Sequence, residues 1–194
     1  MDDWDAAENF ISSKGYFTIY SPNYENEMRN RIRSFDSKDL RTALNNISLS
    51  YESSLVNVRE EGDEEEYNLV GLNSNSFTSS LDRHNLFMEW DEERNLPSID
   101  DLEVIGGTVV ETAGGVHLFK EADLSWEEVN ELHKKWKCCS GFTEYSNQRK
   151  YACLRVCPKK DNYLNITRKD NSFICETYEK ITETLRRVYD GVVG

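Results

Sequence analysis

From residue 84 onward the apolar residues change repeatedly between strand and helix spacing, and this succession limits the folds open to the chain. "HNLFMEW" (84–90) reads as a strand, and "SIDDLEVIGG" as a short helix or turn that ends at Gly106 and Gly107. "TVVETAGGVHLF" is a strand, a glycine break and a strand again. "LSWEEVNELHKKWK" is the clearest helix. Ser125 and Glu128 are spaced as a capping box, and Trp126, Val129, Leu132 and Trp136 give it one apolar face. "KYACLRVCP" reads as a strand stopped by Pro158, and Tyr178, Ile181, Leu185 and Val188 space as an amphipathic helix. The order strand, short helix, strand, helix, strand, helix predicts an α/β (α+β) architecture, a mixed sheet with flanking helices.

The first third reads as mainly helical. Trp4, Ala7, Phe10 and Ile11 recur at helical spacing, as do Met28, Ile32 and Phe35, and then Leu40, Ala43, Leu44 and Ile47. "GYFTIYSP" interrupts them as a short strand ended by Pro22, and "SYESSLVNV" has strand character. "REEGDEEE" (59–66) has six acids in eight residues and should stay solvated as a loop or hairpin tip. "YNLVGL" is a further short strand and "NSNSFTSS" (73–80) a loop. The 194 residues suit a single domain, 1–194. Within it we distinguish a helical, acidic part (1–83), a core (84–169) and a C-terminal helix (170–194).

Charge is unevenly spread. Residues 1–132 hold 10 Lys/Arg against 29 Asp/Glu, whereas residues 133–169 hold 10 against 2, in a chain whose net charge is −13. A basic segment in an acidic chain points either to a phosphate-facing surface or to a patch that complements an acidic neighbour. No apolar stretch approaches the ~20 residues of a membrane span, and "MDDWDAAENF" is acidic where a secretory signal is basic and then apolar. The expected location is the cytoplasm of the cell that makes the protein, or of the host if it is viral. The five cysteines, Cys138, Cys139, Cys153, Cys157 and Cys175, contain no Cys-x-x-Cys pair. Reduced, mostly buried thiols are expected rather than disulfides or a zinc site.

Three short stretches carry chemistry. At the end of "HNLFMEWDEE", Glu89 and Asp91 project to one face of a strand, about 7 Å apart at Cα. Such a pair can bridge Mg²⁺ or Mn²⁺, and it is also what the polar end of a surface strand carries. In "ETAGGVHLF", Gly114 and Gly115 permit close approach or positive φ, and His117 points opposite to Val116 and Leu118, where it could donate to a phosphate. The alternative is a hairpin turn with a half-buried histidine. In "RKYACLRVCPKKD", Arg155 lies between apolar neighbours and needs an anionic partner, either a carboxylate or a phosphate. Lys159 and Lys160 follow at the strand end.

In this order and spacing the motifs resemble the archaeo-eukaryotic primase (primase-polymerase) superfamily over roughly residues 84–160. The matching pieces are Glu89-x-Asp91, "TAGGVH" ending at His117, the 126–137 helix, and "YACLRVCPK" with Arg155 and Lys159. The resemblance implies a primase-polymerase-like core and a DNA primase or polymerase activity that uses two divalent ions in viral, plasmid or archaeal DNA replication. Glu89, Asp91 and Glu144 would then hold the metals. His117, Arg155, Lys159 and the Gly114–Gly115 turn would bind the nucleoside triphosphate. A single-stranded DNA template would follow the basic segment with Lys160. No GxxxxGK[ST] stretch occurs, so unwinding would fall to a separate helicase or replication protein. The chain departs from the family in opening its pair with glutamate and in offering Glu144, in "GFTEYSNQRK", where an aspartate is usual. A catalytically inactive primase-like binding protein and a metal-dependent nuclease using the same acids are the alternative readings.

Overall fold

A computed structural model describes residues 15–20, 33–36, 69–91, 95–156, 164–170, 174–176, 178–180 and 182–183. The strands are β1 (Tyr16–Tyr20), β2 (Arg33–Asp36), β3 (Leu69–Asn73), β4 (His84–Trp90), β5 (Thr108–Glu111), β6 (Val116–Leu124), β7 (Cys153–Arg155) and β8 (Asn165–Arg168). The helices are α1 (Ile99–Ile105), α2 (Trp126–Lys135) and α3 (Ser140–Arg149), and residues 174–176, 178–180 and 182–183 are helical. The architecture is α+β. In place of one mixed sheet there are two four-stranded sheets, β2-β1-β3-β7 and β4-β6-β5-β8, and every pairing in them is antiparallel.

The elements follow from local sequence. β4 alternates cleanly: Leu86, Met88 and Trp90 face a smaller apolar cluster with Val109, Leu118 and Ile105, while Phe87 faces the main core. The main core lies between the sheets, with Phe17, Leu72, Phe87, Phe119, Leu154 and Tyr178 among its members. α2 starts with the capping box anticipated above, in which Ser125 Oγ accepts from Glu128 N at 3.3 Å and Glu128 Oε2 accepts from Ser125 N at 2.8 Å. β7, late in the chain, pairs with β3 and so completes the sheet that β1 and β2 begin.

A buried polar seam joins the two sheets. Ser74 N donates to Ala152 O (2.8 Å), and Ser74 Oγ accepts from Ala152 N (3.0 Å) and lies 3.1 Å from His84 Nδ1. Ser74 O accepts from both Asn85 N (2.8 Å) and Asn85 Nδ2 (3.1 Å). The register of β4 against β6 shifts at this point, and Asn85 Oδ1 accepts from Ala122 N at 3.1 Å in place of a ladder carbonyl. The outer edge of β4 is closed by α2 and the turn after it. His133 Nε2 donates to Phe87 O at 2.7 Å, and Cys139 N donates to Glu89 O at 2.9 Å. These are alternate residues of an edge strand whose carbonyls would otherwise lack partners.

Some expectations change. Phe35 lies in strand β2, not in the helix that its spacing with Met28 and Ile32 suggested, because pairing with β1 decides the conformation there. α3 and β8 are elements the sequence did not announce. The proposed helices over Trp4–Ile11 and Leu40–Ile47, the 50–58 strand, the acidic 59–66 loop, Ile181, Leu185 and Val188 lie outside the described residues, as do Cys157, Pro158, Lys159 and Lys160. Cys138, Cys139, Cys153 and Cys175 are in no disulfide, and burial pushes Cys138 up to about 12. Among the described residues no helix is long and apolar enough to cross a membrane.

His133 is 1% exposed, and burial pushes it down to about 4 despite its bond to Phe87 O; Nδ1 has no partner. Burial also lowers His84. Above pH 6.5 these imidazoles are neutral in folded and unfolded chains alike. As pH falls from about 6.5 toward 4, the unfolded chain takes up a proton that the folded His133 refuses, so stability drops by on the order of 3 kcal/mol. Urea melts across this range should show that slope, and His133→Gln should flatten most of it.

Candidate functional site

β4 and β6 are neighbours in register, with Glu89 opposite His117 and Trp90 opposite Val116. Strand alternation therefore turns Glu89 and His117 to the same side, the side that Phe87 and Phe119 share with the main core. His117 Nε2 donates to Glu89 Oε1 at 3.3 Å. The imidazole is 3% exposed, its Nδ1 has no hydrogen-bond partner, and the Glu89 side chain is 23% exposed. Asp91, just beyond the strand and exposed, hydrogen-bonds to the Glu89 carboxyl. Arg155 arrives from the other sheet on β7, is buried, and its charge also acts on Glu89. Tyr178 donates to Arg155 O at 2.5 Å and ties this end of β7 to the C-terminal helical residues.

Glu89 thus contacts His117 and Asp91, and the Arg155 charge from the other sheet lies near enough to act on it. Burial pushes the Glu89 carboxyl up. The His117 hydrogen bond, the His117 and Arg155 charges and the Asp91 hydrogen bond together outweigh it, so Glu89 is held below its ordinary value. Two carboxyls in hydrogen-bonding contact cannot both keep full charge without a proton or a cation between or beside them. His117 and Arg155 already supply positive charge beside the pair, and Glu89 and Asp91 are the two carboxyls of this cluster that a divalent ion would use, since Mg²⁺ is commonly held by one or two carboxylates with water and phosphate completing its shell.

The glycine pair has a definite job. Thr112 N donates to Gly115 O (2.9 Å) and Gly115 N to Thr112 Oγ1 (3.0 Å), closing the β5–β6 turn. A Cβ on Gly115 would stand 1.8 Å from Trp90 O and 2.8 Å from Asp91 Cα. The close approach that glycine permits is made by the backbone bearing Asp91, and positive φ among the described glycines falls at Gly106 and Gly107 instead. Gly114 is exposed, and its Cβ would meet nothing nearer than Asp91 O at 4.0 Å.

Glu144 does not join the pair. It is exposed on α3, where Gln148 Nε2 donates to it at 3.5 Å, and among the described residues no three His, Cys, Asp or Glu side chains are grouped to hold a metal ion. What the sequence did not reveal is the start of α3. Its N-cap, Cys139, bonds to Glu89 O through its backbone and offers no side-chain cap. The first turn, Ser140 and Gly141, therefore begins beside the site with its electropositive end uncapped. "CCSGFT" was the signal, a run of small residues before a helix with little apolar periodicity.

The basic segment is only partly free. Arg168 donates to Gly107 O (3.0 Å) and Leu102 O (2.8 Å), Lys169 pairs with Glu179, and Arg149 stacks over Tyr145. Lys134, Lys137 and Lys150 are exposed. Comparison with protein-family models, curated proteins and solved structures finds no match to this chain. The geometry of the site yields its own test. Gly115→Ala should destabilise the fold by about 2 kcal/mol or more because Trp90 O cannot move out of the sheet, whereas Gly114→Ala should stay within about 0.5 kcal/mol of the parent. Urea denaturation of the two variants measures the contrast.

Proposed function

We propose that the protein is a metal-dependent nucleotidyltransferase of the primase-polymerase kind, extending DNA on a single-stranded template from nucleoside triphosphates. One observation carries the reading: Glu89, Asp91, His117 and Arg155, far apart in the chain, gather at one place beside an uncapped helix N-terminus. Glu89 and Asp91 would hold one Mg²⁺ or Mn²⁺, whereas Glu144 is exposed on α3 and, among the described residues, forms no three-acid group with them. When bound, the ion would supply charge neutralisation at the attacking hydroxyl and the leaving pyrophosphate.

The chain's own residues divide the remaining work. His117 is too buried to serve as an open phosphate donor; it fixes the Glu89 carboxyl, as outer partners of metal-binding carboxylates do. Arg155 supplies the nearest fixed positive charge, and the first turn of α3 adds backbone N–H groups that favour an anion. Exposed Lys134, Lys137 and Lys150 are available to a template backbone. Action in viral, plasmid or archaeal replication, with a separate helicase, belongs to the same proposal. The outlying position of Glu144 favours a second reading, a non-catalytic nucleic-acid-binding protein built on this scaffold.

The test is incubation with a single-stranded DNA template, labelled nucleotides and Mn²⁺. Template-dependent extension is expected, lost in Asp91→Ala and lowered about 10- to 100-fold in His117→Ala with a raised Mn²⁺ requirement. Shortening of the template would mark a nuclease, and template binding that ignores Mn²⁺ and yields no product would establish the second reading.

A further inference from the structure

Three of the four exposed large apolar residues among those described fall within nine positions: Leu96 (41% exposed), Ile99 (76%) and Val104 (76%). Ile99 and Val104 belong to α1, a helix of seven residues, and Leu96 leads into it. A helix this short is marginal alone, yet α1 is fastened at both ends. Ser98 and Asp101 form a capping box, with Ser98 Oγ accepting from Asp101 N at 3.1 Å and Asp101 Oδ2 accepting from Ser98 N at 3.1 Å. Lys120 Nζ donates to Ile105 O and Arg168 Nη1 to Leu102 O, each at 2.8 Å, so two cations hold the carbonyl end. Ile105 is the helix's one buried residue.

At about 100° per residue, the outward arc of α1 runs from Ile99 through Glu103 and Asp100 to Val104. Apolar side chains stand at its two edges, about 7.5 Å apart along the axis, and two carboxylates lie between them. Asp101 is occupied by the cap, so Asp100 and Glu103 are the exposed charges of the arc. This pattern is complementary to a segment carrying a Lys or Arg flanked by apolar residues. A second copy of the chain fits poorly, because a symmetric contact would set the same carboxylates against each other and the net charge of −13 opposes it.

We infer that the outward face of α1, with Leu96, is a docking surface for a basic, apolar segment of a different protein. The surface is rigid before binding, so little ordering accompanies contact. The chain's overall negative charge draws such a segment in, and Ile99 and Val104 hold it. The inference is independent of the nucleotidyltransferase reading, since none of these residues touches Glu89 or Asp91.

The probe is a synthetic peptide in which leucines flank two lysines, compared with a peptide of the same composition in scrambled order. Binding to the full chain is followed by calorimetry and by amide shifts of the labelled protein. The expected result is tighter binding of the patterned peptide, shifts confined to residues 96–106, and at least tenfold weaker binding in the Ile99→Asp/Val104→Asp double variant. Leu81→Asp, which removes the remaining exposed apolar residue, should bind as the parent does. Both variants lie on the surface, and far-ultraviolet circular dichroism checks that they are folded. Equal binding of patterned and scrambled peptides, shifts spread over the acidic surface, or binding unaffected by the double variant would overturn the inference. So would concentration-dependent self-association, seen by sedimentation, that the double variant abolishes.

Discussion

The main-chain bonds around Ser74 hold this protein's two halves in one relation. A single buried serine presents its N–H, its carbonyl and its hydroxyl to two separate parts of the chain: Ala152, on the approach to β7, and His84 with Asn85, the first residues of β4. Asn85 answers from β4 and passes the connection on to β6 through Ala122 N. Each of these groups is buried, so each bond prevents a desolvation cost that nothing else nearby could offset. Because β7 carries Arg155 and β4 carries Glu89, the seam also sets the distance between the cation of one sheet and the carboxylate of the other. The site inherits its geometry from a polar contact several residues away from any charged group in it.

β4 connects that seam with the rest. Its inner ladder pairs with β6, its two faces feed two different apolar clusters, and its outer edge receives His133 and Cys139. The carbonyl of Glu89 and its side chain therefore answer to different elements, α3 and β6. A carboxyl positioned in this way has little rotational freedom left to lose on meeting a ligand.

The parts of the fold that were legible in the sequence were those where one periodicity dominates. β4, the β5–β6 hairpin and α2 announce themselves because half of each is apolar and the other half is not, and Ser125 with Glu128 fixes where α2 starts. α3 was hidden because it buries only Phe142 and Ser146 and is otherwise mostly polar, with Ser, Gly, Thr, Glu, Asn, Gln and Arg beside Tyr145; neighbouring structure, through Cys139 N on Glu89 O and through Asn147 with Trp126 and Asn130, holds it in place. β8 contributes a single half-buried Ile166, too little alternation to recognise. The separation into two antiparallel sheets depends on β7 returning to β3, a long-range choice that no local pattern encodes. The same division applies to the site. That Glu89 and His117 face the same way follows from strand alternation, whereas the nearness of Arg155 to Glu89 depends on how the two sheets meet. Where Glu144 lies depends on α3, the element that carries it and that no local periodicity announced.

The sealing of β4 leaves the second sheet lopsided. On that flank a ring nitrogen and a cysteine N–H already occupy the alternate carbonyls, those of Phe87 and Glu89. The opposite flank, β8, alternates exposed and half-buried residues and ends in Arg168 followed by Lys169. Both are engaged, Arg168 with the carbonyls of Gly107 and Leu102 and Lys169 with Glu179, so this border is tied to α1 and to the C-terminal helical residues. Helix and turn thus fasten one border of the sheet through main-chain carbonyls of β4, while the other is fastened through the side chains that leave β8.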